Sequence, residues 1–226
     1  MNDRQWASTA VNACATAGVD HFFLAPGSRC TPLTLAVARH SELTITQHFD
    51  ERGLAFAALG YARATGRPGV FICTSGTAVA NAFPSVIEAS MEGIPMLLWT
   101  ADRPPELRTT GANQTIDQQR IFGEYPRWFV DMPCPTESLG PRFVQSMVDR
   151  AMAACRHGPV HLNWMFREPF CLEEGPRPDN LAAHAENEIA LESNQGSELT
   201  FTGDAVLLAG GCSPQEARII QRLAVE

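Results

Sequence analysis

Gly69-Val70-Phe71-Ile72-Cys73 runs straight into Thr74-Ser75-Gly76-Thr77, and this passage decides the fold. A run with no polar member cannot alternate between a wet face and a dry one. Such a strand is buried on both sides, as a central strand of a helix-covered parallel sheet must be. The glycine-centred turn and the helical pattern that follows, from about Ala78 to Met91, predict a strand–turn–helix unit. Thr77 is expected to cap that helix, and Pro84 to kink or restart it.

The same unit recurs outward in both directions. Arg4 to Ala17 carries Trp6, Val11, Ala13 and Cys14 at helical spacing and stops at Gly18. His21 to Ala25 reads as a strand ended by Pro26-Gly27, and Pro32 opens a helix to Arg39. Leu43 to His48 is a second strand and Asp50 to Thr65 a long helix ending at Gly66. Downstream, Pro95 to Trp99 is a strand, followed by a polar loop from Thr100 to about Ile116. Arg127 to Asp131 and Pro159 to Trp164 are further strands, with a helix from Ser138 to Arg156 between them. The expected class is α/β: a parallel sheet of about six strands, helices on both faces and right-handed crossovers, over residues 1–170. Residues 171–203 are acidic and rich in Pro, Asn and Ser, and read as a linker. Asp204 to Gly211 then reads as a new buried strand, and Ser213 as the cap of a helix from Pro214 to Leu223. One strand and one helix cannot bury a core, so residues 204–226 are expected to begin a second domain that is cut short.

Composition narrows the function. The chain has 226 residues and a formal net charge of -8, which disfavours nucleic acid and anionic membrane as partners. No apolar run approaches the roughly 20 residues needed to span a bilayer, and the N-terminus lacks the pattern of a signal peptide. Seven cysteines stand singly, mostly in apolar segments, and are expected to be reduced thiols in a cytoplasmic setting. All 17 basic residues are arginine. Without lysine there is no Schiff-base chemistry and no Walker lysine, so a bound anion must be held by Arg, backbone N–H groups or neutral amides.

Four polar stretches follow strands and should gather at the carboxyl edge of the sheet. They are Pro26-Gly27-Ser28-Arg29, Asp50-Glu51-Arg52, Thr74-Ser75-Gly76-Thr77 and the run from Thr100 to Gln119. In the second, Asp50 can cap the helix and leave Glu51 to face a pocket, or the pair can simply compensate the helix dipole. The last stretch, with Arg103, Arg108, Asn113 and Gln114 among prolines and a glycine turn, suits a pocket for a small carboxylated molecule. It equally suits a solvated connector whose arginines pair with Asp102, Glu106 and Asp117. His48 is expected to be a buried, satisfied ring, and no histidine spacing suggests a metal site. Cys30 beside Arg29 lacks a base to activate it.

Five of these motifs, in register, resemble one family. They are Ala-Pro-Gly-Ser-Arg-Cys-Thr-Pro-Leu at 25–33, Phe-Asp-Glu-Arg-Gly at 49–53, Thr-Ser-Gly-Thr-Ala-Val-Ala-Asn at 74–81, Thr-Ala-Asp-Arg-Pro-Pro-Glu-Leu at 100–107 and Gly-Ala-Asn-Gln-Thr-Ile at 111–116. The family is the thiamine-diphosphate-dependent 2-succinyl-5-enolpyruvyl-6-hydroxy-3-cyclohexene-1-carboxylate synthases of menaquinone biosynthesis. Cys30 stands where that family more often has serine.

The resemblance implies a pyrimidine-binding domain at residues 1–170. It also implies decarboxylation of 2-oxoglutarate and 1,4-addition of the succinyl unit to isochorismate. Glu51 matches the glutamate that hydrogen-bonds N1′ of the cofactor's aminopyrimidine, so that N4′ can take the C2 proton. Ser75, Gly76 and Thr77 match the loop beside the pyrimidine. Ser28, Arg29, Arg103, Asn113 and Gln114 match positions lining the substrate pocket. Mg²⁺ and the diphosphate belong in the family to a Gly-Asp-Gly…Asn motif that this sequence lacks, in a site shared between subunits of a dimer or tetramer. The chain alone is therefore expected to be inactive. An acetohydroxyacid-synthase-like enzyme and a non-catalytic module of the same fold are the alternatives.

Overall fold

Successive strand residues point to opposite faces, so the apolar run Gly69–Cys73 has to feed two cores. It does so: Val70 and Ile72 enter one buried cluster, Phe71 and Cys73 the other. A computed structural model describes residues 1–170 and 214–223 of the chain. In order they form α1 (Asp3–Thr16), β1 (His21–Leu24), α2 (Thr31–Ala38), β2 (Thr44–Gln47), α3 (Glu51–Thr65) and β3 (Gly69–Cys73). Next come α4 (Thr77–Asn81), α5 (Phe83–Met91), β4 (Met96–Asp102), β5 (Trp128–Met132), α6 (Pro141–Cys155), β6 (Pro159–Met165) and α7 (Pro214–Leu223). The chain divides into two compact units, residues 1–181 and 182–226. The sheet belongs to the first; in the second, α7 is the described element. The strand read at 204–211, the linker at 171–203 and the Ser213 cap lie outside the described residues.

The sheet is six-stranded and parallel throughout, in the order β2-β1-β3-β4-β6-β5. Trp6, Val11, Leu33, Val37, Val144 and Val148 of α1, α2 and α6 cover one face with Trp99, Leu162 and Trp164. Leu54, Leu59, Val79 and Val86 of α3, α4 and α5 cover the other with Met96 and Leu98. From β1 the chain crosses outward to β2 and returns to β3, so the strand order reverses between β1 and β3. Helices leaving neighbouring strands to opposite faces open a crevice there, the usual ligand position of open α/β sheets. A second reversal lies between β4 and β6.

Several boundaries shift for local reasons. Pro84 restarts the helix: α4 ends at Asn81, and α5 begins at Phe83 with the proline in its first turn. The cap of α4 is Gly76, not Thr77, which is its first helical and solvent-exposed residue. Pro141 delays α6 to three residues past the expected Ser138. Thr100, Ala101 and Asp102 are not loop: they extend β4 by pairing with Asn163, Trp164 and Met165 and are fully buried. β2 is an edge strand, largely exposed. His48 after it is exposed rather than buried; its Nδ1 accepts the Asp50 N–H at 3.0 Å, and its ring stacks on Phe49. Among the described residues no helix is long and apolar enough to cross a membrane.

Candidate active site

The β1/β3 reversal draws two strand ends together, and glycine is what permits it. A Cβ on Gly27 would sit 2.3 Å from the Thr74 Cβ. The backbone after β1 therefore lies against the end of β3 and brings Arg29 into the crevice, buried. Its Nη1 donates to the Phe166 carbonyl at 2.9 Å, its Nη2 pairs with Glu168 at 2.9 Å, and Phe170 lies against its guanidinium. Arg103 comes from the end of β4 and is 9 % exposed. Its Nη1 donates to Ser75 Oγ and, at 2.8 Å, to the Gln114 carbonyl. Gln114 Nε2 in turn donates to the Ser75 carbonyl at 2.9 Å. Gly76 has φ 85° and ψ -146°, and a Cβ there would meet Gln114 Cγ at 2.9 Å.

Burial pushes the Arg103 guanidinium below its ordinary pKa and the charge of Arg29 adds to this, with Asp102 and Glu168 opposing. Arg29 has Glu168 as an ion-pair partner, while among the described residues no carboxylate pairs with Arg103. A desolvated guanidinium without a counter-charge is a receptor for an anion. In the loop from Thr100 to Gln119 the two arginines differ. Arg108 is the connector's arginine, although it pairs with Asp102 and Asp131. Glu106 pairs with Arg167, and Asp117 accepts the Gln119 N–H. Arg103 is the loop arginine that no carboxylate pairs among the described residues.

Glu51 opens α3. Asp50 Oδ1 accepts the Arg52 N–H at 3.0 Å, which caps the helix and leaves the glutamate to point elsewhere. Glu51 Oε2 accepts from Asn81 Nδ2 at 3.2 Å, so the carboxylate ties the start of α3 to the end of α4. Its Oε1 has no hydrogen bond among the described residues, and the side chain is half-buried. It can still hold or receive one proton. Cys30 is inert by comparison: burial pushes its thiol up, and its Sγ–H points to the Gly27 carbonyl at 3.2 Å.

Beneath this edge lies a buried polar scaffold between β4 and β6. Asn163 Nδ2 donates to Asp102 and Asp131 at 2.8 Å, and its Oδ1 accepts from Thr100 Oγ1 and Gln118 Nε2 at 2.9 Å. Thr100 Oγ1 has therefore used its proton, and the 2.7 Å contact with His161 must be a bond donated by Nε2. That leaves His161 Nδ1 buried without a partner, between the rings of Phe122 and Phe129. Burial holds the imidazole neutral, down to about 3, against the pull of Asp131. Burial pushes Asp131 up, but the bonds from Arg108, Gln119 and Asn163 outweigh it and keep the carboxyl below its usual range.

Residues 5–121 match the family model described as thiamine pyrophosphate enzyme, N-terminal TPP binding domain. The chain belongs to the thiamine pyrophosphate enzymes. It is 54% identical to the 2-succinyl-5-enolpyruvyl-6-hydroxy-3-cyclohexene-1-carboxylate synthase of Rubrobacter xylanophilus over 79% of this chain and 32% of the relative. It is also 54% identical to the Salinibacter ruber synthase of that name, over 73% of this chain and 28% of the relative. Against the Haloarcula marismortui synthase the identity is 44% over 96% of this chain and 37% of the relative. The chain spans about a third of the length of these curated relatives.

In this TPP binding domain, Ser75, Arg103 and Gln114 form one hydrogen-bonded cluster, Gly76 is tied beside it through Gln118, and the charge of Arg29 reaches it. Glu51 joins the sheet edge through Asn81 instead. Ser28, Thr77 and Asn113 are exposed, and the carbonyls of Ser28 and Asn113 close local turns with Thr31 and Thr115. Sequence reasoning missed Asn81, Gln118, Asn163 and Glu168. Asn163 could have been found as the polar residue inside the apolar strand Pro159–Trp164. The others carry no signal short of the fold. Among the described residues no group of three or more His, Cys, Asp or Glu side chains is placed to hold a metal ion.

Proposed function

We propose that this chain supplies the pyrimidine-binding half of the active site of a 2-succinyl-5-enolpyruvyl-6-hydroxy-3-cyclohexene-1-carboxylate synthase. The supporting observation is the pair of buried arginines, with Arg103 lacking a carboxylate partner among the described residues, at the same sheet edge as a helix-opening glutamate. Identity of 54% to synthases of that name adds to it. Thiamine diphosphate, when bound, supplies the carbanion chemistry. Glu51 holds the proton at N1′ of the aminopyrimidine through its free Oε1, with Asn81 fixing the other oxygen. Ser75, Gly76 and Thr77 would hold the ring from the turn after β3. Arg29 and Arg103 bind the carboxylates of 2-oxoglutarate and isochorismate, and Ser28, Asn113 and Gln114 complete the pocket with neutral donors.

In this reading residues 1–170 form the domain, 171–203 a linker and 204–226 the start of a central domain. Mg²⁺ and the diphosphate are held by a Gly-Asp-Gly…Asn segment outside this sequence. The enzyme is a cytoplasmic homo-oligomer, a dimer or tetramer, with the site between subunits. These 226 residues alone then have no synthase activity. The test supplies the enzyme containing this domain with 2-oxoglutarate and isochorismate, and the chain alone in parallel. The isochorismate-dependent adduct from the enzyme and none from the chain supports the proposal. Acetolactate formed from pyruvate instead would move the assignment to an acetohydroxyacid-synthase-like enzyme. Turnover by the isolated chain would overturn the half-site.

A further inference from the structure

Arg103, Gln114 and Gln118 each hydrogen-bond the Thr74–Gly76 turn, and the last is a residue with no place in the pocket itself. Gln118 is fully buried. Its Oε1 accepts the Gly76 N–H at 2.9 Å, and its Nε2 donates to the Ala101 carbonyl at 3.1 Å and to Asn163 Oδ1 at 2.9 Å. One amide therefore spans the turn after β3, the end of β4 and the middle of β6. Every polar atom of the group is used, and its orientation is fixed: the oxygen faces an N–H, the nitrogen two oxygens.

The Gly76 N–H has a defined importance. Gly76 sits at a backbone conformation essentially only glycine adopts, against the Gln114 side chain. A turn so strained keeps its shape only if its surroundings hold it. The residue before it, Ser75, receives Arg103 at its hydroxyl and Gln114 at its carbonyl. Moving the turn moves both partners.

We propose that Gln118 is the positioning residue of the anion pocket: it clamps the Gly76 N–H, and so sets where Ser75 and Gln114 hold the Arg103 guanidinium. The inference rests on the reading of Arg103 as the substrate-carboxylate receptor. Its consequence is selective. Misplacing a charged donor weakens binding of the anion it was built for, while a lost buried hydrogen bond elsewhere in the same scaffold costs stability alone.

The experiment compares Gln118→Leu, which keeps volume and removes all three bonds, with Thr100→Val. Thr100→Val cuts the scaffold at its bonds to His161 and Asn163 and leaves Gly76 untouched. Both are measured in the enzyme containing this domain, with thermal unfolding alongside. The expected result is a KM for isochorismate raised about tenfold or more in Gln118→Leu, the loss of roughly one charged hydrogen bond, with unchanged KM in Thr100→Val. Equal KM changes in the two, or none in Gln118→Leu, overturn the proposal. Amide hydrogen exchange on the unmodified chain tests the clamp without any variant or substrate. A Gly76 amide protected as strongly as the β4 amides supports it, and one exchanging like an open turn overturns it. A wild-type enzyme that makes no isochorismate adduct defeats the functional assignment, while the exchange measurement still decides the role of Gln118.

Discussion

Two arginines five residues apart on one loop are predicted to answer the same substitution very differently, one with a large loss of stability and the other with little or none. Arg108 places Nη2 2.8 Å from Asp102, which is fully buried, and Nη1 2.8 Å from Asp131. Arg108→Met leaves the fully buried Asp102 and the half-buried Asp131 facing neutral amides, and breaking a buried pair in this way costs about 3–5 kcal/mol. Arg103 is more deeply buried than Arg108 but has no carboxylate partner among the described residues. It gives up two hydrogen bonds to neutral groups, each worth about 1.5–3 kcal/mol at a charged donor. Against this, Arg103→Met removes the desolvation of an unpaired ion and its repulsion with Arg29, which amounts to several kcal/mol. The net expectation is a change within about 1 kcal/mol of zero, or a gain. Thermal and urea unfolding of this chain reads the difference directly: a drop on the order of 10 °C in Tm for Arg108→Met, and little or none for Arg103→Met. An Arg103→Met loss as large as that of Arg108→Met would refute the view of Arg103 as a charge kept for a ligand.

His161 gives a pH signature. Its folded pKa of about 3 lies below the ordinary 6.5, so the unfolded chain binds the extra proton. The resulting stability is complete above pH 6.5 and is lost as pH falls from there toward 3, at about 1.4 kcal/mol per unit. His161→Gln, which keeps a donor for Thr100, should change its stability relative to wild type by about 2 kcal/mol between pH 7 and 5; a constant difference counts against the neutral, orphaned ring. Gly76→Ala should cost about 1–3 kcal/mol and weaken succinate binding to the enzyme, since the turn and Gln114 must both give way. Unchanged unfolding and binding would show that the turn is not under strain.

Much of this was legible in the residues because the decisive strands are apolar on both faces, and glycine and proline mark where they stop. Val70 and Ile72 against Phe71 and Cys73 state two cores in four letters. The end of β4 was not legible, because Thr100 and Asp102 are polar. They are buried only because Asn163 and His161, distant in sequence, and Arg108, six residues past Asp102, satisfy them. His48 misled for the opposite reason: an edge strand exposes what an interior strand would bury. Of the hydrogen-bonded cluster at the sheet edge, Arg103 and Gln114 stood out in their loop. Which of the two loop arginines would lack a counter-charge depended on where Asp131 lay, and no spacing encodes that. Gln118 and Asn81 were unreadable because an amide gains meaning only from the groups around it.

In the proposed function, Glu51 is the proton contact of the thiamine cofactor. Exchange of the C2 proton of bound thiamine diphosphate for deuterium, followed by NMR after rapid acid quench, tests it without any substrate. The enzyme containing this domain is measured against its Glu51→Gln variant. A fall in the exchange rate of about 100-fold or more, the usual weight of one positioned proton donor or acceptor, is the predicted result. Exchange at the wild-type rate in Glu51→Gln, with the cofactor still bound, would contradict the account.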